Sequence, residues 1–171
     1  MGVDTAGYNV FLLLHVLCAI VGFGAAMVSG LHINKARQLP PEQGLAVIET
    51  NSFVSMKVAD IFVYLVAIFG FGLVGMSDKL YQFSQLWVWL TIVLYIVWLG
   101  LSHGAMRPRI KRLVATQREL IASPPAGPDD ARVATLAAAG KQVGVFSAVS
   151  NLIVVAILVL MIWKPGAPPL G

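Results

Sequence analysis

Four long apolar runs divide this chain, and the short segments between them hold most of its charged residues. The runs extend over about residues 10–31, 58–76, 86–101 and 143–163. A helix in lipid satisfies its own backbone hydrogen bonds, so a run of ~20 apolar residues is typical of a membrane-spanning helix. The pattern predicts an all-α protein, a four-helix transmembrane bundle in which residues 1–171 form a single domain.

Helical periodicity continues past the apolar runs at one end of this bundle. Between residues 109 and 121 the apolar positions keep the spacing of one helix face, and the proline-rich segment 123–128 then interrupts them. Asp129 and Asp130 favour a helix start after this break, and Pro41 is suited to the first turn of a helix in the first connection. We therefore expect cytoplasmic helical extensions of both hairpins.

The distribution of charge predicts an orientation in the membrane. The chain is 58% hydrophobic and only 12% charged, with a net charge of +4. Ten of its 12 Lys and Arg residues lie in or beside the first and third connections, which is typical of cytoplasmic loops and not of nucleic-acid binding. Both termini are then outside the cytoplasm. The aromatic residues expected at the outer interface are Tyr8, Tyr81, Trp87 and Trp163.

Small and polar residues recur at helical spacing within the apolar runs. Such residues let helices approach closely, and this packing role explains their presence without a catalytic or binding function. They are Gly22, Ala26 and Ser29 in the first run, Gly70 and Gly72 in the second, and Gly144, Ser147 and Asn151 in the fourth. The first functional hypothesis is therefore an accessory or scaffold subunit in the lipid bilayer, assembled as a homo-oligomer or within a larger membrane complex.

His15 and Cys18 lie one turn apart inside the first run, roughly 8 Å deep for His15 at the rise of a helix. Ionisable groups inside a membrane are candidates for function, and soft ligands suit Cu(I). The second hypothesis is therefore binding or transport of copper by His15 and Cys18, with Met27 roughly on the same side. The alternative is a neutral histidine in an interhelical hydrogen bond and a cysteine that packs as an apolar residue.

Six other polar residues lie near the predicted cytoplasmic ends of the runs. His32 and His103 are at similar depths on two helices of the same direction, as bis-histidine ligation of a b-type haem requires, and Arg107 and Arg109 are available for its propionates. The alternative for both histidines is contact with headgroups and water. One turn separates Lys57 from Asp60, which predicts an ion pair rather than a proton relay through Asp60.

The chemistry-bearing motifs of common enzymes are missing from the sequence. It holds no phosphate-binding glycine loop, catalytic triad, zinc-type cysteine cluster or nucleic-acid motif. The sequence therefore favours a protein that is not an enzyme.

The segment LLLHVLCAIVGFGAAM, with Leu14-His15-Val16 near its start, resembles the opening of a bacterial family of small four-span membrane proteins. The closing segment 161–166, MIWKPG, is similar to the end of the same family. More distantly, the layout resembles the CopD-type copper-resistance membrane domain and the HemJ-type protoporphyrinogen oxidase. The resemblance implies a four-helix fold in a bacterial inner membrane, with copper or haem b as the cofactors to consider.

Overall fold

The computed structural model describes residues 2–125, 127 and 130–167, and every regular element in them is helical. The six α-helices are α1 (Ala6–Ala36), α2 (Pro41–Phe53), α3 (Ala59–Met76), α4 (Leu86–Gly100), α5 (Arg107–Ala122) and α6 (Ala131–Trp163). Two π-helical segments, Val54–Val58 and Leu101–Met106, join α2 to α3 and α4 to α5 without a break. The predicted all-α bundle is confirmed.

The chain thus forms four long helices, of which the second is Pro41–Met76 and the third is Leu86–Ala122. They contain 31 to 37 residues each, and their apolar windows have mean hydropathies between 1.8 and 2.7. About 20 residues cross the hydrocarbon core, so all four are long enough to span a membrane and to extend beyond it. The protein is a multi-pass membrane protein.

Local sequence explains where these helices begin. The Thr5 hydroxyl accepts a hydrogen bond from the Tyr8 backbone N–H, and Pro41 occupies the first turn of α2 as predicted. Asp130 caps α6, and hydrogen bonds from Arg132 hold the pKa of the Asp130 carboxyl below its usual range. The predicted contribution of Asp129 to this start lies outside the described residues, as do Ala126 and Pro128 of the preceding break.

The four helices have two distinct ends. The terminal end holds the start of α1, the end of α6 and the turn at 77–85, whereas α1 meets α2, and α5 and α6 approach each other, at the hairpin end. The α1 helix packs against α3 and α6, and α4 and α5 pack against α6. At the hairpin end α2 also packs against α5. Nearer the terminal end α3 packs mainly on α1, and α4 packs mainly on α6, rather than α3 and α4 on each other.

The interior consists of three apolar clusters along the bundle. The hairpin-end cluster includes Ile33, Ile48, Ile110, Leu113 and Val143. The middle cluster includes Cys18, Phe23, Val63, Trp98 and Val154. The terminal-end cluster includes Tyr8, Leu73, Tyr81, Trp87 and Val88. Three of the four aromatic residues predicted for one interface therefore meet at one end, whereas Trp163 is exposed there.

Most of the predicted small residues face a neighbouring helix. Gly22 lies against Val63, Gly70 against the His15 ring and Gly72 against the Phe11 ring. Ala26 packs on the middle cluster, Ser29 and Ser147 are buried, and Asn151 donates a hydrogen bond to the Met27 carbonyl. Gly144 differs, because no atom lies within 4 Å of an added Cβ there. The small residues thus serve contacts within this chain.

Replacing Gly22 with alanine is expected to destabilise the bundle by about 1–3 kcal/mol, the usual cost of overpacking a close contact. The added Cβ would lie 2.9 Å from Val63 Cγ2 and 3.0 Å from the Val63 backbone nitrogen, which has little freedom to move. Gly24→Ala on the same helix is the matched control, because its Cβ meets nothing within 4 Å. Unfolding in mixed detergent micelles, followed by circular dichroism, compares the two. Equal stability of both variants would contradict the close contact.

Candidate functional site

A cavity of about 870 Å³ lies in the terminal half of the bundle and is lined by residues of α1, α3, α4 and α6. This volume falls within the ~300–1,000 Å³ of pockets that hold cofactors and small molecules. Its wall is mostly apolar. The side chains on it that carry a nitrogen or oxygen atom are Tyr8, His15, Tyr81, Trp87, Thr91, Tyr95 and Lys164.

His15 lies on the wall of this cavity, and its ring is fixed by a hydrogen bond across to α3. The Nδ1 atom lies 2.9 Å from the Val66 carbonyl oxygen. A carbonyl oxygen only accepts hydrogen bonds, so Nδ1 carries the proton, and Nε2 of the neutral ring keeps its lone pair. Gly70 gives the ring its space, because a Cβ there would lie 3.0 Å from Cε1. The site therefore offers one oriented imidazole nitrogen as a ligand.

Cys18 does not share this wall. Its side chain is 4% exposed and belongs to the middle apolar cluster, although Met27 lines the cavity. Among the residues that the structure describes, no three His, Cys, Asp or Glu side chains are grouped as ligands of a metal ion. The predicted His15 and Cys18 copper pair thus gains no third ligand of these types.

Lys164 provides a positive charge on the cavity lining at the terminal end. Its ammonium donates a hydrogen bond of 2.9 Å to the Tyr81 hydroxyl and lies 4.6 Å from the centre of the Tyr81 ring. The Trp87 ring centre is 5.8 Å away. Within the described part of the chain, no carboxylate oxygen lies within 4.0 Å of this ammonium. An acidic group of a ligand in the cavity would meet a cation here.

A second polar site lies between the second and third long helices, on the hairpin side of the cavity. It consists of Asp60, Tyr64, His103 and Arg107 and is called the Asp60 cluster below. Arg107 forms an ion pair with Asp60 Oδ2, and His103 Nε2 is 3.9 Å from the same oxygen. The Tyr64 hydroxyl lies 2.9 Å from His103 Nε2, and His103 Nδ1 lies 3.1 Å from the Leu99 carbonyl oxygen.

The Asp60 cluster corrects the predicted ion pair of Lys57 with Asp60. Lys57 is exposed and belongs to the first π-helical segment, which ends immediately before Ala59 and Asp60. The prediction assumed the 3.6-residue turn of an α-helix, and the wider π turn changes the direction of Lys57 relative to Asp60. The carboxylate is instead paired across the helix interface with Arg107.

The structure does not bring His32 and His103 together as the bis-histidine hypothesis requires. His32 Nδ1 is 3.1 Å from Asn51 Oδ1 on α2, whereas His103 contacts Tyr64 on α3. Asn51 is fixed in turn, because its amide donates to the Ser29 hydroxyl. The two rings are therefore held by different neighbours.

Arg109, the second predicted propionate ligand, already has partners inside the protein. It donates hydrogen bonds to Gln142 Oε1 and to the Ala105 carbonyl oxygen, and its guanidinium lies 4.4 Å from the centre of the Phe146 ring. Arg107 is likewise occupied by Asp60. Neither arginine is placed as the hypothesis of haem at the hairpin end expected.

Comparisons with known proteins give no family for this chain: no protein-family model, no curated protein and no solved structure matches it. The resemblance to the CopD-type and HemJ-type proteins therefore stays a prediction from the sequence.

Proposed function

We propose that this membrane protein binds a b-type haem in the cavity of the terminal half, where His15 Nε2 would hold the iron. The carrying observation is the His15 ring on the cavity wall with its Nδ1–H held by the Val66 carbonyl. Metal-bound histidines almost always donate their other ring N–H in this way, which fixes the tautomer and the direction of the ligand nitrogen. A histidine is also the commonest protein ligand of haem iron.

The rest of the cavity fits the two parts of this cofactor. The mostly apolar wall suits the macrocycle, and Lys164 suits a propionate by a charge-assisted hydrogen bond. The Lys164 ammonium contacts Tyr81, and Tyr81 belongs to the same terminal-end cluster as Tyr8. His15 follows Tyr8 by seven residues on α1, which is roughly 10 Å along the helix. Met27 and Met161 also line the cavity, and a thioether is an axial ligand in some haem proteins. When bound, the haem would supply one-electron chemistry.

The direct test is an optical titration of the full-length protein in detergent micelles with haem b. We expect a Soret band that shifts and saturates at one haem per chain, and that shifts again after reduction by dithionite. A spectrum that stays that of free haem in detergent at every ratio would overturn the proposal. In that outcome, a lipid retained through purification and found by mass spectrometry would identify the alternative occupant of the cavity.

The accessory-subunit role, self-association and copper binding stay predictions. The small residues that motivated assembly with a partner mostly make contacts inside this chain, so they give that role no independent support. Copper would have to find its further ligands beyond His15, such as the Met27 thioether, because Cys18 is packed in the middle cluster. The geometry of His15 favours the haem.

We propose further that the protein lies in a bacterial inner membrane with the hairpin end in the cytoplasm and both termini outside. Ten of its 12 Lys and Arg residues belong to the hairpin-end connections and their flanks, and such segments stay on the cytoplasmic side. A reporter active only after export should be active when fused at Lys79 and inactive at Ser123. A reporter active only in the cytoplasm should give the opposite pair of results. Export activity at Ser123 and not at Lys79 would contradict this orientation.

A further inference from the structure

The Asp60 cluster lies between two of the four long helices that line the cavity, the second and the third, on the side of the hairpin end. Tyr64 is one turn from Ala67 of the cavity wall, and His103 is about two turns from Tyr95 on the opposite wall. Close helix packing does not connect α3 with the second π-helical segment. The Tyr95 hydroxyl of α4 donates a hydrogen bond to the Val63 carbonyl of α3 nearer the cavity. On the hairpin side the long side chains of the cluster make the contact, so a change in their hydrogen bonds changes how the two helices are held there.

His103 has a single nitrogen with which to make this connection. Its Nδ1 faces the Leu99 carbonyl of its own helix, so Nδ1 carries the proton. The Nε2 lone pair then accepts the hydrogen bond of the Tyr64 hydroxyl. The same Nε2 is 3.9 Å from Asp60 Oδ2, a distance that a small ring movement would reduce to a hydrogen bond if Nε2 carried a proton.

We infer that His103 Nε2 is a proton-binding site that controls the contact of Tyr64 between the second and third long helices. A proton from the aqueous phase at the hairpin end forms a bond to Nε2, and the Tyr64 hydroxyl loses its acceptor. The new Nε2–H turns from the neutral Tyr64 hydroxyl to the Asp60 carboxylate, because a hydrogen bond between two charged groups is the stronger one. Asp60 keeps its ion pair with Arg107. The proton adds one positive charge to a cluster in which Asp60 and Arg107 otherwise cancel. No other bond forms or breaks, and the proposal does not depend on haem.

The charged groups around His103 are few, and most of them have partners elsewhere. On the elements packed against the second π-helical segment, Arg109 of α5 is bonded to Gln142, and the charged residues of α6 are Arg132 and Lys141. Lys141 is exposed and Arg132 pairs with Asp130 at the start of α6. From the side of α3, the facing groups are Asp60 and Tyr64, and Lys57 is exposed in the first π-helical segment.

The two π-helical segments are an independent observation in favour of a mobile contact. His103 lies within Leu101–Met106, and Asp60 follows Val54–Val58 by two residues. Insertions of this kind are frequent at functional sites and weaken the regular backbone hydrogen bonding of a long helix. Both helices therefore have a point of altered backbone geometry beside the cluster.

Spin labels on the outer faces of α3 and α4 test the inference. The full-length protein carries Ile68→Cys and Val97→Cys, which are 59% and 50% exposed and do not line the cavity, in a Cys18→Ala background, because Cys18 is the only native cysteine. Electron–electron distance measurements in lipid nanodiscs compare about pH 8 with about pH 5, the interval in which histidines change charge. We expect the distance distribution to change between the two conditions.

Three variants decide which group is responsible. Tyr64→Phe should show the acid distribution at both pH values, because its hydrogen bond is absent throughout. His103→Gln should remove the pH dependence, and His32→Gln, the matched control at the same end, should retain it. A distribution that does not change with pH, or a change that survives His103→Gln, would overturn the inference.

A second measurement needs no introduced cysteine. In protein with isotope-labelled His and Tyr, nuclear magnetic resonance follows the His103 ring nitrogens and the Tyr64 Cζ. The inference requires both signals to change over the same pH interval, because one proton displaces one hydrogen bond. Independent changes of the two signals would contradict it.

Discussion

Replacing His15 with alanine is expected to weaken haem binding by about 100-fold or more, since loss of a neighbour that merely orients a ligand already costs ~10–100-fold. The variant keeps the apolar cavity but loses the only imidazole on its wall within the described residues. The measurement is the optical titration used for the wild type. His32→Ala is the matched control on the same helix, because His32 is exposed and bonded to Asn51.

Added imidazole separates loss of the ligand from loss of the fold. In the His15→Ala protein, free imidazole should enter the cavity and restore a haem spectrum close to that of the wild type. A misfolded variant would not respond. Unchanged affinity in His15→Ala would exclude this histidine as the ligand, and equal losses in His15→Ala and His32→Ala would mean that the cavity is not the site.

The overall fold could be predicted from the sequence because each span depends on local pattern alone. Apolar runs, the proline at 41 and the acidic helix start near residue 130 affect only the residues within one or two helical turns. They can therefore be recognised without knowing which other helices pack nearby. The helical continuation through 109–121 was predicted in the same way, and α5 confirms it.

The partner of Asp60 could not be predicted in this way. Arg107 is 47 residues away along the chain, and no local pattern shows that the second and third long helices present these residues to each other. The π-helical segments carry no sequence signature that distinguishes them from an α-helix. The sequence prediction therefore used the 3.6-residue turn of an α-helix for the spacing of Lys57 and Asp60, although Lys57 lies in a π-helical segment.

The cavity, like the pairing of Asp60 with Arg107, depends on how distant helices pack and could not be predicted from the sequence. Its volume results from α3 and α4 packing on α1 and α6 rather than on each other, which is a property of the whole bundle. His15 stood out in the sequence as a polar interruption, but its link to Val66 depends on Gly70 leaving space one turn further on the facing helix. Lys164 counted only as one positive charge at an outer end, and its position beside Tyr81 is visible only in three dimensions.

Replacing Arg107 with methionine is expected to destabilise the bundle by about 3–5 kcal/mol, because it leaves a largely buried carboxylate without its cation. The Asp60 side chain is only 16% exposed, and the ion pair is its main compensation for leaving water. Unfolding in mixed micelles at about pH 8 measures the loss. Lys57→Met is the control, and since Lys57 is exposed and not paired with Asp60, its effect should stay within about 0.5 kcal/mol.

The double variant with Asp60→Asn and Arg107→Met should recover most of this loss, because it removes both charges together. Arg107→Met alone should also be less destabilised at about pH 5 than at about pH 8. The inferred proton on His103 Nε2, 3.9 Å from Asp60 Oδ2, would replace part of the positive charge that Arg107 no longer provides. A loss of stability in Lys57→Met as large as that in Arg107→Met would instead support the ion pair of Lys57 with Asp60 that the sequence predicts. A loss in Arg107→Met that does not change with pH would show that His103 does not exchange partners at this carboxylate.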